Sequence, residues 1–222
     1  MIVASFDIGK KNFAFCVEEF DADILKKLVN IRKVNRFVDD KPTDDFTQLL
    51  TKIFLNGSVL LHKNLDLTTN TTKSKYLDTQ VFYNMIIELD KYKDVFDRCD
   101  TIIIEQQMSF KKAQNTMAIK LGQHCFSYFT MRYPLTVVNN ISFDGRKEII
   151  EFPAYYKTQI IGAPKKMTKP QRKKWAVEKT RELFQLRGCE DYFVGIHKKD
   201  DLADTFLQLQ SFKFLRFVDG SI

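Results

Sequence analysis

The sequence predicts an α/β protein built on a mixed five-stranded sheet flanked by helices. Three observations carry this. The first thirty-odd residues read as short apolar segments separated by turns. Further on, segments of helical periodicity alternate with short apolar runs. A length of 222 residues with 44% apolar content supports a real core.

Residues 2–8 read as a buried strand ending in the turn Gly9-Lys10-Lys11-Asn12. Phe13–Phe20 follows as a second strand and Ile24–Lys33 as a third with mixed patterning, so an antiparallel meander is expected. Residues 35–75 are polar, with an apolar island at Phe54–Leu61 and a loop signal at 68–73; they read as an insertion or lid-like excursion. Leu77, Val81, Met85, Ile86, Leu89 and Phe96 are spaced as on a helix over 76–98. Asp100–Glu105 is an apolar run bounded by charges, the pattern of a central strand. A second helix is expected over 110–132, with Gly122 as a blemish, and a further core strand at Leu135–Val138.

Residues 141–170 hold three of the five prolines and lack periodicity, so a surface excursion is expected. Pro170 suits a helix start, and the helix that follows closes at Gly188. A last helix runs from about Lys199 to Phe217. Strands in the order β-β-β-α-β-α-β-α-α describe the ribonuclease H-like topology, with right-handed crossovers. The whole chain, 1–222, reads as one such domain. Twenty Phe and eight Tyr against one Trp make its core aromatic.

The net charge of +7 is concentrated. Between 164 and 181, Lys165, Lys166, Lys169, Arg172, Lys173, Lys174, Lys179 and Arg181 face Glu178 alone. A basic run of this kind suits a phosphate backbone, although such runs also form plain solvated helix faces. Cys16, Cys99, Cys125 and Cys189 are far apart, which excludes a C-x-x-C zinc pattern and points to buried thiols in a reducing compartment. No segment approaches the roughly 18 apolar residues of a membrane span, and the N-terminus is not a signal peptide.

Against this background the acidic residues matter by position, since 28 of 222 are acidic. Asp7 ends the first strand, Glu105 ends the central strand, and Asp200, Asp201 and Asp204 open the last helix. Asp201 and Asp204, three apart, share a helix face; Asp200 points about 100° away and is the weaker ligand. Carboxylates converging from several segments could hold two Mg²⁺ ions, with Mn²⁺ as substitute, for phosphodiester hydrolysis. Each also has a plain reading: an Asx turn at Asp7, a solvated strand end at Glu105, first-turn acids on the helix. Lys174, with Lys173 close behind, could stabilise charge on a scissile phosphate. His124 and His197 read as structural, with a smaller chance that His197 assists the site.

With Phe6-Asp7-Ile8-Gly9-x-Lys11-Asn12, Ile104-Glu105-Gln106-Gln107, Arg172-Lys173-Lys174 and Lys199-Asp200-Asp201-x-Ala203-Asp204 in this order, the chain resembles the RuvC-like Holliday junction resolvases, in particular their poxvirus and large-DNA-virus branch. The resemblance implies an acidic tetrad of Asp7, Glu105, Asp201 and Asp204, with Lys174 as active-site lysine. It also implies a homodimer cutting opposed strands of a four-way DNA junction with Mg²⁺ or Mn²⁺, leaving 5′-phosphate and 3′-hydroxyl ends. Lys11, Gln106, Gln107, Lys111, Lys112, Lys165, Lys166, Lys169, Arg172 and Lys173 form the expected DNA contacts, with Phe110 either stacking on a base or packing in the core. The helix at 110–132 is a candidate dimer interface and equally a core helix. No small-molecule cofactor or membrane contact is expected. A viral origin would place the protein in the host cytoplasm.

Two other readings stay open: a ribonuclease H-like endonuclease acting on RNA–DNA hybrids or flaps, and a non-catalytic junction-binding module. The Asp7-Ile8-Gly9 opening also occurs in actin-like ATPases, but those need Gly-rich phosphate loops, which are absent here.

Overall fold

The structure, a computed structural model, describes residues 1–70, 78–107, 115–133, 137–138, 141–142, 147–189, 193 and 198–222. The strands are β1 (Ile2–Asp7), β2 (Phe13–Glu19), β3 (Phe37–Val38), β4 (Lys41–Pro42), β5 (Ser58–Leu65), β6 (Thr101–Gln106), β7 (Val137–Val138), β8 (Ile141–Ser142) and β9 (Glu148–Pro153). The helices are α1 (Ala22–Lys26), α2 (Asp44–Leu55), α3 (Thr79–Lys91), α4 (Lys93–Phe96), α5 (Thr116–Arg132), α6 (Tyr156–Gln159), α7 (Lys169–Leu186) and α8 (Lys199–Lys213), the last continuing into a π-helical turn at Phe214–Asp219. They fall into two compact units.

The sheet unit comprises Ile2–Val17 and Leu61–Ala154. Its sheet has the order β5-β2-β1-β6-β9. β1 pairs with β6, and β6 with β9, in parallel. Met1 and Phe20, flanking β1 and β2, exchange both backbone hydrogen bonds at 2.9 Å, the signature of an antiparallel pair. The sheet is therefore mixed, as expected. One face of it carries Ala4, Phe6, Phe13, Phe15, Ile102 and Ile104, packed with Val81, Met85 and Leu89 of α3 and Leu121, Cys125 and Phe129 of α5. The aromatic composition is spent here: Phe6 lies 5.4 Å from Phe15 and 5.2 Å from Phe129, ring centre to ring centre. Such pairs add to the plain burial of their area. Leu121 and Phe129 thus belong to the core. Burial raises the Cys125 thiol, so it stays protonated and inert.

Three expectations are corrected. The third sheet strand is not Ile24–Lys33. Asp21 accepts hydrogen bonds from the N–H groups of Asp23 and Ile24 and starts α1 instead, and the strand comes from β5, inside the polar stretch 35–75. Of the core strand expected at Leu135–Val138, Leu135 and Thr136 lie outside the described residues, and among the described ones Val137–Val138 pairs with β8 in a separate two-stranded ladder. The fifth strand is β9, inside the stretch read as a surface excursion. Both β5 and β9 are edge strands, where polar residues such as His62, Lys63, Glu148 and Glu151 mask the apolar pattern.

The helical unit comprises Met1, Glu18–Leu60 and Tyr155–Ile222. Gln171 accepts from the Thr168 N–H at 2.8 Å and Pro170 sits in the first turn of α7, so the helix starts where the sequence places it. α8 is buried on nearly every side from Leu202 to Lys213, and α6, α7 and α2 pack against it. At its end the fully buried Glu18 carboxylate receives Lys213 Nζ (3.0 Å), Arg187 Nη2 (2.7 Å) and Gln210 Nε2 (2.5 Å). Gly57, at φ +154°, allows its backbone to pass where a Cβ would meet Glu18 Oε1 at 2.0 Å.

Burial pushes the Glu18 carboxyl up, but Lys213 and Arg187 outweigh it and hold it below its ordinary value. Its depressed folded-state value contributes stability that is present above the unfolded value, about 4.3, and is lost as pH falls through the folded one. Replacing Lys213 by Met should cost about 3–5 kcal/mol in urea unfolding at pH 7, because it leaves a buried charge short of its partner. The gap from wild type should narrow as the solution is acidified.

Candidate functional site

Asp7 ends β1, and Glu105 is the last residue but one of the adjacent parallel strand β6. The register Phe6↔Ile104 carries them side by side one residue further on, at the neighbouring-strand spacing of about 4.8 Å. Since Phe6 and Ile104 face the aromatic core, alternation turns Asp7 and Glu105 to the other face. Both are partly exposed. Two carboxylates at the carboxyl edge of parallel strands lie where α/β sheets bind ligands. In the turn after Asp7, a Cβ on Gly9 would stand 3.0 Å from the Asn12 carbonyl oxygen, so the turn closes tightly with Lys11 exposed at its tip. Gln106 is exposed and Gln107 half-buried, near Gly122 of α5. Phe110, Lys111, Lys112 and His197 lie outside the described residues. The His124 ring packs edge-on against Phe82 at 4.8 Å.

In the helical unit, Lys198 adopts a left-handed conformation (φ +54°) and α8 begins at Lys199, with Asp200 and Asp201 in its first turn. Asp200 is ion-paired with Lys173 of α7. Asp204, one turn on, is bonded to Lys157 Nζ of α6 at 2.8 Å. The hydrogen bond to Asp200 raises the Lys173 ammonium above the ordinary lysine value; partial burial opposes this and the charges of Asp201 and Asp204 add to it. Lys174, the neighbour favoured from the sequence, is largely exposed and lies 3.7 Å from Glu178 on its own helix. The two lysines of the motif thus point to different surroundings, and Lys173 is the one that reaches the acidic helix. Lys157 was missed: a lone lysine in an aperiodic stretch carries no signal of its own.

Of the remaining basic residues, Lys165 is ion-paired with Asp40 while Lys166, Lys169 and Arg172 are exposed. Lys173, Lys174, Arg181, Lys198 and Lys199 line an open groove of about 590 Å³ between α7 and the start of α8, with Glu178 and Asp200 its acidic members. Five cations against two anions suit a run of phosphates.

Among the described residues, no group of three or more His, Cys, Asp or Glu side chains is placed to hold a metal ion by itself. The carboxylates come in two pairs, Asp7 with Glu105 and Asp201 with Asp204. Hard oxygen donors are what Mg²⁺ takes, and it is commonly held by one or two carboxylates completed by water and substrate phosphate. The donors fit such an ion in kind, and each pair supplies the protein's usual share. No helix among the described residues is long and apolar enough to cross a membrane.

Comparison with known proteins bears on the fold. No family model matches the chain. A protein of invertebrate iridescent virus 3, designated uncharacterized protein 97L, is 29% identical over 221 residues, covering 96% of this chain and 99% of that protein. Among solved structures, the fowlpox virus Holliday junction resolvase superposes with a TM-score of 0.50 at 14% identity, covering 96% of each chain. Thermus thermophilus RuvC gives 0.51 at 13% identity over 97% of this chain and 96% of that one. The chain shares with these structures its fold, a mixed five-stranded sheet flanked by helices.

If the α7–α8 groove follows a phosphate backbone, Arg181→Glu and Lys199→Glu should each weaken duplex DNA binding. Each should also flatten the dependence of log Kd on log salt by about 1. Fluorescence anisotropy across a salt series measures both, and unchanged slopes would exclude the groove as a DNA contact.

Proposed function

We propose that this chain is a structure-selective DNA endonuclease that resolves four-way junctions by paired hydrolytic nicks. The observation that carries the reading is the side-by-side placement of Asp7 and Glu105 at the carboxyl edge of β1 and β6, in a fold shared with a fowlpox virus Holliday junction resolvase. Asp201 and Asp204 on α8 complete the acidic set. Mg²⁺ or Mn²⁺, held by these four residues as two ions, would activate the attacking water and stabilise the leaving oxygen.

The chain's own residues have distinct tasks. Asp7 and Glu105 sit on strands whose backbones are fixed by the sheet, so their carboxylates need little reorganisation on binding. Lys173, held beside Asp200, supplies a positive charge for the scissile phosphate; Lys174 and the exposed Lys165, Lys166, Lys169 and Arg172 grip the backbone, together with Lys11, Gln106 and Gln107. Cutting both strands of a symmetric substrate calls for two copies of the site, so the active form is a homodimer. Hydrolysis at the 3′ oxygen leaves 5′-phosphate and 3′-hydroxyl ends that a ligase can seal.

The test is cleavage of a labelled four-way DNA junction with Mg²⁺, beside linear duplex and an RNA–DNA hybrid, for wild type and Asp7→Asn. Symmetric nicks in the junction alone, lost in the variant, are expected. Cleavage of the hybrid instead would move the function to RNA removal; tight junction binding without any cut would leave a binding module. In the same assay Lys173→Gln should lose about 100-fold or more in rate, the size of removing one charge stabiliser. Lys174→Gln should lose less than about tenfold and mainly in affinity. The reverse order would return the active-site role to Lys174.

A further inference from the structure

The ion pair between Lys157 and Asp204 joins a residue outside every acidic or basic motif to one of the proposed ligands. α6, which carries Lys157, is a single turn docked on α8, and its Tyr156 carbonyl accepts a hydrogen bond from Ser211 Oγ at 3.2 Å, two turns beyond Asp204. The Lys157 side chain is only 12% exposed and Asp204 26%, so this pair is more withdrawn from water than Lys173 and Asp200, at 47% and 23%. Three carboxylates at 200, 201 and 204 on neighbouring turns of one helix repel each other, and two of them are ion-paired with lysines, Asp200 with Lys173 and Asp204 with Lys157.

We propose that Lys157 is the built-in counter-ion of Asp204, holding the carboxylate until a divalent cation takes its place. The inference rests on reading Asp204 as a metal ligand. An ammonium and a divalent ion compete for the same carboxylate oxygens, so Lys157 sets how tightly the site takes its ion. Without Lys157, a divalent cation meets less competition for the Asp204 carboxylate oxygens. The lysine is a positioning residue: it acts on the site through Asp204 and keeps α8 ordered in the metal-free protein.

The experiment is Mn²⁺ binding to the whole protein without DNA, read by isothermal titration calorimetry or by loss of the free-ion electron paramagnetic resonance signal. Lys157→Gln should bind Mn²⁺ about three- to tenfold more tightly, as expected from removing one unit charge a few ångströms from a half-exposed ion. Its metal-free melting temperature should fall, and added Mn²⁺ should raise it by more than in wild type. Lys157→Arg keeps the charge and should keep the wild-type affinity. In an Asp204→Asn background, Lys157→Gln should change nothing. Unchanged or weaker Mn²⁺ binding by Lys157→Gln, or the same gain without Asp204, would overturn the proposal. Should wild type bind Mn²⁺ and cut junctions while Lys157→Gln binds like wild type, the resolvase reading stands and this one alone is lost. Failure of wild type to bind Mn²⁺ without DNA would overturn this proposal, while the junction-cleavage assay decides the resolvase reading separately.

Discussion

A buried carboxylate organises the helical unit. Glu18 is wholly withdrawn from water, where an isolated ionised group would cost several kcal/mol or more. It is kept charged by Lys213 at the end of α8 and Arg187 just past the end of α7. The same two cations also bond the carbonyls that close α2: Arg187 to Phe54 and Lys213 to Asn56. Three helix ends are thereby tied to one oxygen pair. At the other end of α7 and α8, Lys173 meets Asp200. The separations along the chain are 187 − 173 = 14 residues on one side and 213 − 200 = 13 on the other, or about 20 Å each at the helical rise. Two tie points with matching spans make α7 and α8 run side by side in the same direction, with Phe184 against Phe206 between them at 4.6 Å. The lysine-bearing face of α7 then meets the acidic start of α8, and not its middle.

This arrangement explains why Lys173 and Lys174 differ so sharply although adjacent. On a helix, neighbours project about 100° apart. Lys173 is turned to pair with Asp200, while Lys174 lines the same groove beside its own-helix partner Glu178, at a distance where an exposed pair contributes little. The motif Arg172-Lys173-Lys174 lies in the first turns of α7, and which of its lysines pairs with Asp200 was not legible from the motif alone. Sequence spacing gives the phase of a helix only relative to its own residues.

Much of the sheet was legible because its central strands are apolar throughout. β1 and β6 were placed to within a residue, and with them Asp7 and Glu105. The edges were not legible. β5 and β9 each have one side without a strand partner, so they tolerate His62, Lys63, Glu148 and Glu151, and their alternation dissolves into a polar background. Ile24–Lys33 failed for the opposite reason. Its apolar residues suggested a strand, but Asp21 caps the N–H groups of Asp23 and Ile24, and a local side-chain hydrogen bond of this kind decides a short segment. Lys157 and Glu18 had no local pattern at all; their roles come from partners 47 and 195 residues distant.

The acidic residues divide into two kinds, and the division bears on chemistry. Asp7 and Glu105 are fixed by a sheet register, which cannot slip by one residue without turning the apolar set of β1 or β6 away from the aromatic core. Asp200, Asp201 and Asp204 lie at the start of a helix held by the packing of α2, α6 and α7 along its length and by ion pairs at its two ends. Ion pairs exchange partners more readily than a buried sheet changes register. The strand pair is held by backbone pairing, whereas two of the helix acids, Asp200 and Asp204, have their charge answered by lysines. At the acidic start of α8, Lys157 and Lys173 pair with two of the three carboxylates, so part of their mutual repulsion is offset within the protein itself.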